Sequence, residues 1–423
     1  MDFNDTKEQA VFRAKAKSWL AANAQAKRQG LMAGTQEDRY QQAVDWYHKR
    51  YDAGFSCLTW PKEYGGQGLS QMYQVIWNQE VSHYGEPDEY FVIGIGNCGP
   101  ALMTFASEEQ KQTLLPRMAR ADDIWCQLFS EPGAGSDVAG LSTKAEKSGD
   151  EWKINGQKIW TSGAQYSRYG VILTRTDPEV SKYRGLTMFM IDLKQPGVEV
   201  KPIKQIDGGS HFNEVFFNDA VIPDNYRLGE VNEGWGAALM VLMNERLANA
   251  TAAPDGFEDF LNWAKASDVD GVPATQDPIV RDKLATWYTQ HAGVEATTFR
   301  MITAVAKGGV PGAEGSLGKL VGASMNQDIA NFVIQQLDAG GQLTGDESTP
   351  LDGHFQSAVL MAPGIRLAGG TDEIMRNIIA EQVLGLPQEP RADKGISYKD
   401  ICLLYTSDAA DDTPCVDLGG RRI

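Results

Sequence analysis

Apolar positions change their spacing twice along the chain. Up to about residue 120 they recur at helical intervals: Val11, Ala14 and Leu20, set among Glu8, Lys15 and Lys17, predict an amphipathic opening helix. Ser107, followed by Glu108 and Glu109, reads as the cap and acidic first turn of another. Between them Trp60–Gly68 is rich in helix breakers and predicts a loop. From Trp125 to about Gly234 the period becomes two, predicting strands over 169–174, 186–191 and 213–217. Asn155-Gly156 reads as a two-residue hairpin turn between 152–154 and 158–160, so that Trp160 and Ser162 would leave a strand near a sheet edge. Helical spacing returns at Trp235 and lasts to Leu386, where Pro387 ends it, with a loop at 308–315. The expected organisation is helices over 1–122, a β domain over 123–234, helices over 235–390 and a tail over 391–423.

The 423 residues are enough for two or three domains, and 42% hydrophobic with 22% charged residues is the balance of a globular protein. No apolar run approaches the roughly 20 residues of a membrane span, and Met1–Asp5 has no basic-then-apolar leader, so a cytoplasmic protein is expected. The five cysteines, at 57, 98, 126, 402 and 415, have no metal-ligand or disulfide spacing and are expected to be reduced and buried. A net charge of −17 argues against nucleic acid or an anionic membrane as partner. An anionic ligand would have to be met locally, by loop amides, helix starts and a few cationic side chains.

Two segments concentrate the candidate chemistry. Phe129–Gly140 (Phe-Ser-Glu-Pro-Gly-Ala-Gly-Ser-Asp-Val-Ala-Gly) is a strand running into a glycine-rich turn with hydroxyls and exposed amides, and Gly156–Gly163 (Gly-Gln-Lys-Ile-Trp-Thr-Ser-Gly) follows the Asn155-Gly156 pair. Either alone reads equally as an ordinary turn, serine being common there, and Trp160 as a core aromatic. Together, at this spacing, they resemble the flavin and thioester site of the acyl-CoA dehydrogenase family, and the helical, β, helical order extends the resemblance over residues 5–390.

That resemblance implies an α+β multidomain fold with an N-terminal helical domain, a β-barrel-like middle domain and a C-terminal four-helix bundle. It implies FAD as cofactor, an acyl-CoA substrate and an electron-transfer flavoprotein as electron acceptor. Carried over by position, Ser130 meets the flavin ring, Trp160 stands beside it, Ser162 bonds its N5 atom and Ser136 contacts the acyl-CoA. Thr371 and Glu373, at the start of the last helix, would touch FAD, although Thr371 is equally readable as a plain N-cap.

The proton-abstracting base departs from many members. In Leu367-Ala368-Gly369-Gly370-Thr371 a glycine, Gly369, stands where those members carry a glutamate. The family's second location, on the first helix after the β domain, reads Asn244-Glu245-Arg246-Leu247 here. On a helical wheel Glu245 lies among Ala238, Val241, Leu242 and Ala248, and Arg246 lies along Trp235, Leu239 and Leu242. The resemblance makes Glu245 the base and Arg246 a substrate contact; the alternative is a structural ion pair.

The Arg-x-x-Phe-Gly segment by which many homotetrameric relatives reach a neighbour's FAD does not occur in 250–320, so a homo- or hetero-oligomer is expected. Two other readings stay open: a structural or weakly active partner subunit, and a flavin oxidase on the same fold. Residues 402–423 resemble translated sequencing adapter and are set apart from the functional reading.

Overall fold

The computed structural model describes residues 4–26, 35–87, 89–250, 256–307, 309, 312–343, 349–388, 390–391 and 393–401. The chain forms two compact units: Asn4–Gln205 with Gly209–Glu245 and the described residues after Glu389, and Ile206–Gly208 with Arg246–Gln388.

The first unit opens with helices that the sequence caps strongly. Thr6, Thr35 and Ser107 each form a reciprocal capping box at the start of α1 (Lys7–Asn23), α2 (Gln36–Asp52) and α5 (Glu108–Arg120). Between them lie β1 (Gln25–Ala26), paired with β2 (Tyr84–Gly85), then α3 (Gln71–Val81) and α4 (Gly99–Phe105). Trp60–Gly68 is the expected loop; a side chain at Gly66 would meet the Trp60 backbone at 2.2 Å.

The sheet follows: β3 (Trp125–Leu128), β4 (Lys144–Ser148), β5 (Glu151–Ser162), β6 (Tyr169–Arg175), β7 (Leu186–Asp192), β8 (Val198–Pro202), β9 (Phe212–Pro223) and β10 (Arg227–Leu228). The strand order is β10-β7-β6-β4-β5-β9-β8, with β3 parallel to β6. All three strands expected from the two-residue period are present. Two of them, β6 and β7, are buried on both faces, as over Leu186–Ile191: one face packs with α4, α5 and the start of α6 (Gly234–Ala250), the other closes a core of Trp152, Ile154, Phe189 and Phe217, whereas β9 alternates between buried and partly exposed positions.

The expected hairpin at Asn155-Gly156 is not there. β4 turns into β5 at Gly149-Asp150 instead, and β5 runs straight through Asn155-Gly156. The pair marks a bulge against β9: Gly156 has φ 148°, and the Asn155 side chain donates to Asp219 Oδ1 at 3.0 Å and accepts from its backbone N–H at 2.9 Å.

The second unit is helical: α7 (Gly256–Ala266), α8 (Pro278–Ala306), α9 (Gly315–Gln336), α10 (His354–Leu367) and α11 (Asp372–Ile378), gathered on Phe260, Trp263, Trp287, Met325 and Val333. A two-stranded ribbon, β11 (Asp268–Val269) with β12 (Val272–Pro273), interrupts it; strands of two residues are too short to carry a periodic signal. Cys57, Cys98 and Cys126 are buried free thiols, whereas Cys402 and Cys415 lie outside the described residues, as does all of 402–423.

Candidate active site

Ser130, Ser136, Trp160 and Ser162 all lie in the first unit. β4 pairs with β5 only as far as Asn155, so beyond Gly156 that flank of β5 is open to the segment after β3, and Ile159 N–H donates to Ser130 C=O at 2.9 Å. The two motif segments are therefore joined by a backbone bond between a cofactor-facing candidate and the neighbour of another.

A second bulge, between Lys158 and Thr161, puts Trp160 at φ 59°, a left-handed conformation costly for a tryptophan. Lys158 and Thr161 are both buried although three positions apart, and the indole between them stands 57% exposed, braced edge-on by Phe212 at 6.1 Å. Strain that presents an exposed indole suits a planar ligand stacked on it. The hydroxyls of Ser130 and Ser162 have no hydrogen-bond partner among the described residues and are half-buried. Gly133 and Gly135, beside exposed Ser136, have open space where a side chain would stand. This surface fits FAD: an aromatic wall, free hydroxyls and a glycine turn that a phosphate or thioester can approach closely.

The same two segments share a buried ion pair that sequence reading missed. Lys158 Nζ donates to Glu131 Oε1 at 2.8 Å and to Phe129 C=O at 3.0 Å, with side-chain exposures of 0% and 4% for the pair. Glu131 also accepts from Ser142 N–H at 2.6 Å, its hydroxyl at 2.8 Å and Thr143 N–H at 2.9 Å. Burial pulls the Lys158 pKa below the ordinary lysine value. Burial works to raise that of Glu131, but the Lys158 ammonium and these donors outweigh it, leaving the carboxylate below its usual range. A lysine at a buried position of an otherwise alternating strand was the available signal.

Glu245 lies on α6, half-buried, one and two turns beyond buried Val241 and Ala238 on the same face. Arg246 is helical in backbone, and its side chain lies outside the described residues. In the second unit Gly369 has φ 66° and Gly370 φ 104°, and Lys319 Nζ donates to Arg366 C=O at 2.8 Å and Gly370 C=O at 2.6 Å. Thr371 is the N-cap of α11, its hydroxyl accepting from Ile374 N–H at 3.3 Å, and Glu373 is exposed in the first turn, where amides of the helix start lower its pKa.

Family models match in succession: acyl-CoA dehydrogenase N-terminal domain over residues 6–122, middle domain over 126–220 and C-terminal domain over 232–384. The chain belongs to the acyl-CoA dehydrogenase family. It is 34% identical to acyl-CoA dehydrogenase IpdE1 of Mycobacterium tuberculosis over 90% of this chain and 98% of that protein, and 33% identical to IpdE1 of Mycolicibacterium smegmatis over 89% and 98%. Among solved structures, the ChsE4-ChsE5 complex of Mycobacterium tuberculosis is similar at 28% identity and TM-score 0.77, covering 92% of this chain and 100% of that one. A steroid acyl-CoA dehydrogenase, Tcur3481-Tcur3483, matches with the same values. Members of this family are oxidoreductases acting on CH–CH groups, with the helical, sheet and helical regions found here. No helix among the described residues is long and apolar enough to cross a membrane.

Proposed function

We propose that this acyl-CoA dehydrogenase family member removes hydrogen from Cα and Cβ of an acyl-CoA thioester, leaving a 2-enoyl-CoA, with FAD held on the Trp160 face. The observation that carries the reading is the strained, exposed Trp160, tied through Ile159 N–H to Ser130 and followed by the unpartnered Ser162 hydroxyl. FAD, when bound, accepts the hydride from Cβ and hands the electrons to an electron-transfer flavoprotein. The chain's own part is to bind and orient. Ser130 and Ser162 supply donors to the flavin, Trp160 covers it, Ser136 and Arg246 meet the thioester, and Glu245 takes the α-proton as a carboxylate. Thr371 and Glu373 are assigned to FAD on family position alone.

The relatives named for steroid chemistry and for a two-chain complex make steroid side-chain thioesters the first substrates to try, and co-expression with a partner subunit the first assembly to try. The absence of a carboxylate at Gly369 also favours a second reading, in which this chain binds FAD within a hetero-oligomer and another chain supplies the base.

The test is purification, alone and co-expressed, followed by flavin extraction and anaerobic bleaching with short, branched, aromatic and steroid side-chain acyl-CoAs. Yellow protein that releases FAD and bleaches with one class is expected. A colourless, folded protein that cannot be reconstituted with FAD would remove the reading.

A further inference from the structure

The residues after Glu389, expected as a tail, dock on the first unit by polar contacts, which is why no apolar period announced them. Ser397 bridges to Ser181, Tyr398 N–H donates to Val180 C=O at 2.8 Å and Lys399 N–H to Pro178 C=O at 3.1 Å. The Tyr398 ring lies 3.9 Å from the Arg175 guanidinium, and its hydroxyl donates to Gly140 C=O at 3.4 Å. Arg175, itself buried and pushed down by burial to about 10, donates to Ala139 C=O at 2.5 Å and Lys182 C=O at 2.7 Å.

At the centre stands Lys182. Its side chain is 8% exposed and its ammonium is gripped from two sides, by Asp137 at 2.6 Å and by Asp393 of the docked segment at 2.5 Å. Asp393 is in turn bonded by Arg391 at 3.1 Å. Asp137 follows Ser136 directly, and its C=O accepts from Gly140 N–H at 2.9 Å, closing the turn. Val138 and Ala139 tuck the far side of this turn into the core, whereas Gly133, Gly135 and exposed Ser136 at its near side pack against nothing, so that side is held by Asp137. The C-terminal segment therefore holds, through one buried cation, the turn that carries Ser136.

We propose that Lys182 and Asp393 are positioning residues that fix the Ser136–Gly140 turn for acyl-CoA, so that the segment after Glu389 is part of the substrate site. The inference rests on the reading of Ser136 as an acyl-CoA contact. A charge-assisted hydrogen bond is directional, and two opposed carboxylates leave a buried ammonium one position. Without Asp393, Lys182 keeps one partner, and the long bond from the Tyr398 hydroxyl to Gly140 C=O is what still ties the turn to the segment.

The experiment uses the full-length, flavin-loaded protein and its Asp393→Asn, Lys182→Met, Lys182→Arg and Ser136→Ala variants. Hydrogen exchange is read at the Gly140 and Leu141 amides, and binding of coenzyme A by calorimetry. Asp393→Asn and Lys182→Met should speed exchange at both amides and weaken coenzyme A about five- to tenfold, the worth of roughly one ordinary hydrogen bond to a turn that is no longer held in place. Flavin content should stay unchanged, and Lys182→Arg, which keeps the cation, should lie near wild type. A merely structural role would lower thermal stability while leaving coenzyme A affinity alone. Unchanged exchange at Gly140 and Leu141 in both Asp393→Asn and Lys182→Met overturns the clamp. Faster exchange with unchanged coenzyme A affinity overturns its substrate role, and wild-type affinity in Ser136→Ala as well shows that the assignment of Ser136 was at fault.

Discussion

The Lys158 ammonium sits 2.8 Å from the Glu131 carboxylate with both side chains sealed from solvent, in the strand that carries the exposed Trp160 and the turn that carries Ser130. Such a pair adds little over a well-packed apolar pair, but removing one partner strands a buried charge. Lys158→Met should therefore cost about 3–5 kcal/mol of unfolding free energy. It should also release the Ser130 segment, since Phe129 C=O loses its donor. Urea unfolding followed at tryptophan and at the sheet by circular dichroism would check this; a loss below about 1 kcal/mol would mean that the site relaxes around the vacancy.

The organisation of the fold was legible because its signals are periodic. The capping residue Ser107, and long runs such as Leu186–Ile191, act locally and survive being read without partners. What failed was register. Asn155-Gly156 has the residues of a tight turn, but its hydrogen-bonding partner, Asp219, is 64 positions away, so the same dipeptide serves as a bulge. The Lys182 clamp was illegible for the same reason: Asp137, Lys182 and Asp393 are polar residues in loops, and only the folded chain brings them together.

Gly156 gives that failure a measurable form. At φ 148° an L side chain is strained, and its Cβ would lie 2.5 Å from Thr143 Oγ1 and 2.7 Å from Thr143 Cα. Gly156→Ala should cost about 1–3 kcal/mol, against a gain of about 0.4–1 kcal/mol for the same change at a site whose backbone tolerates it. Thermal unfolding decides: a variant as stable as the parent would show that β5 does not bulge there.

Asp393 makes the docked segment pH-dependent in a stated direction. The Arg391 guanidinium and the Lys182 ammonium hold its carboxyl down at about 2. An unpaired aspartate titrates at about 3.9. The contribution is therefore complete above the unfolded value and is lost as pH falls through about 4 toward 2. The stability gap between the parent and Asp393→Asn should be flat from about pH 5 to 8 and narrow by pH 3. A gap equally wide at pH 3 and pH 6 would show that Asp393 contributes packing rather than charge.

The assignment of the base stands on Glu245. It occupies the face of α6 that Ala238 and Val241 bury, and the alternative position is Gly369, which has no acceptor. Glu245→Gln keeps the shape of the side chain and removes its proton-accepting oxygen. Flavin content should be retained while substrate-dependent flavin reduction falls about a hundredfold or more, the range for a lost general base. Gly369→Glu added to that variant is the harder demand, because φ 66° costs an L residue roughly 1–2 kcal/mol. Any recovery of reduction there would be partial. Rapid-mixing reduction under anaerobic conditions, with the acyl-CoA that bleaches the parent fastest, distinguishes the cases. Wild-type reduction by Glu245→Gln would make Glu245 a structural residue and move the base to another side chain or to a partner subunit.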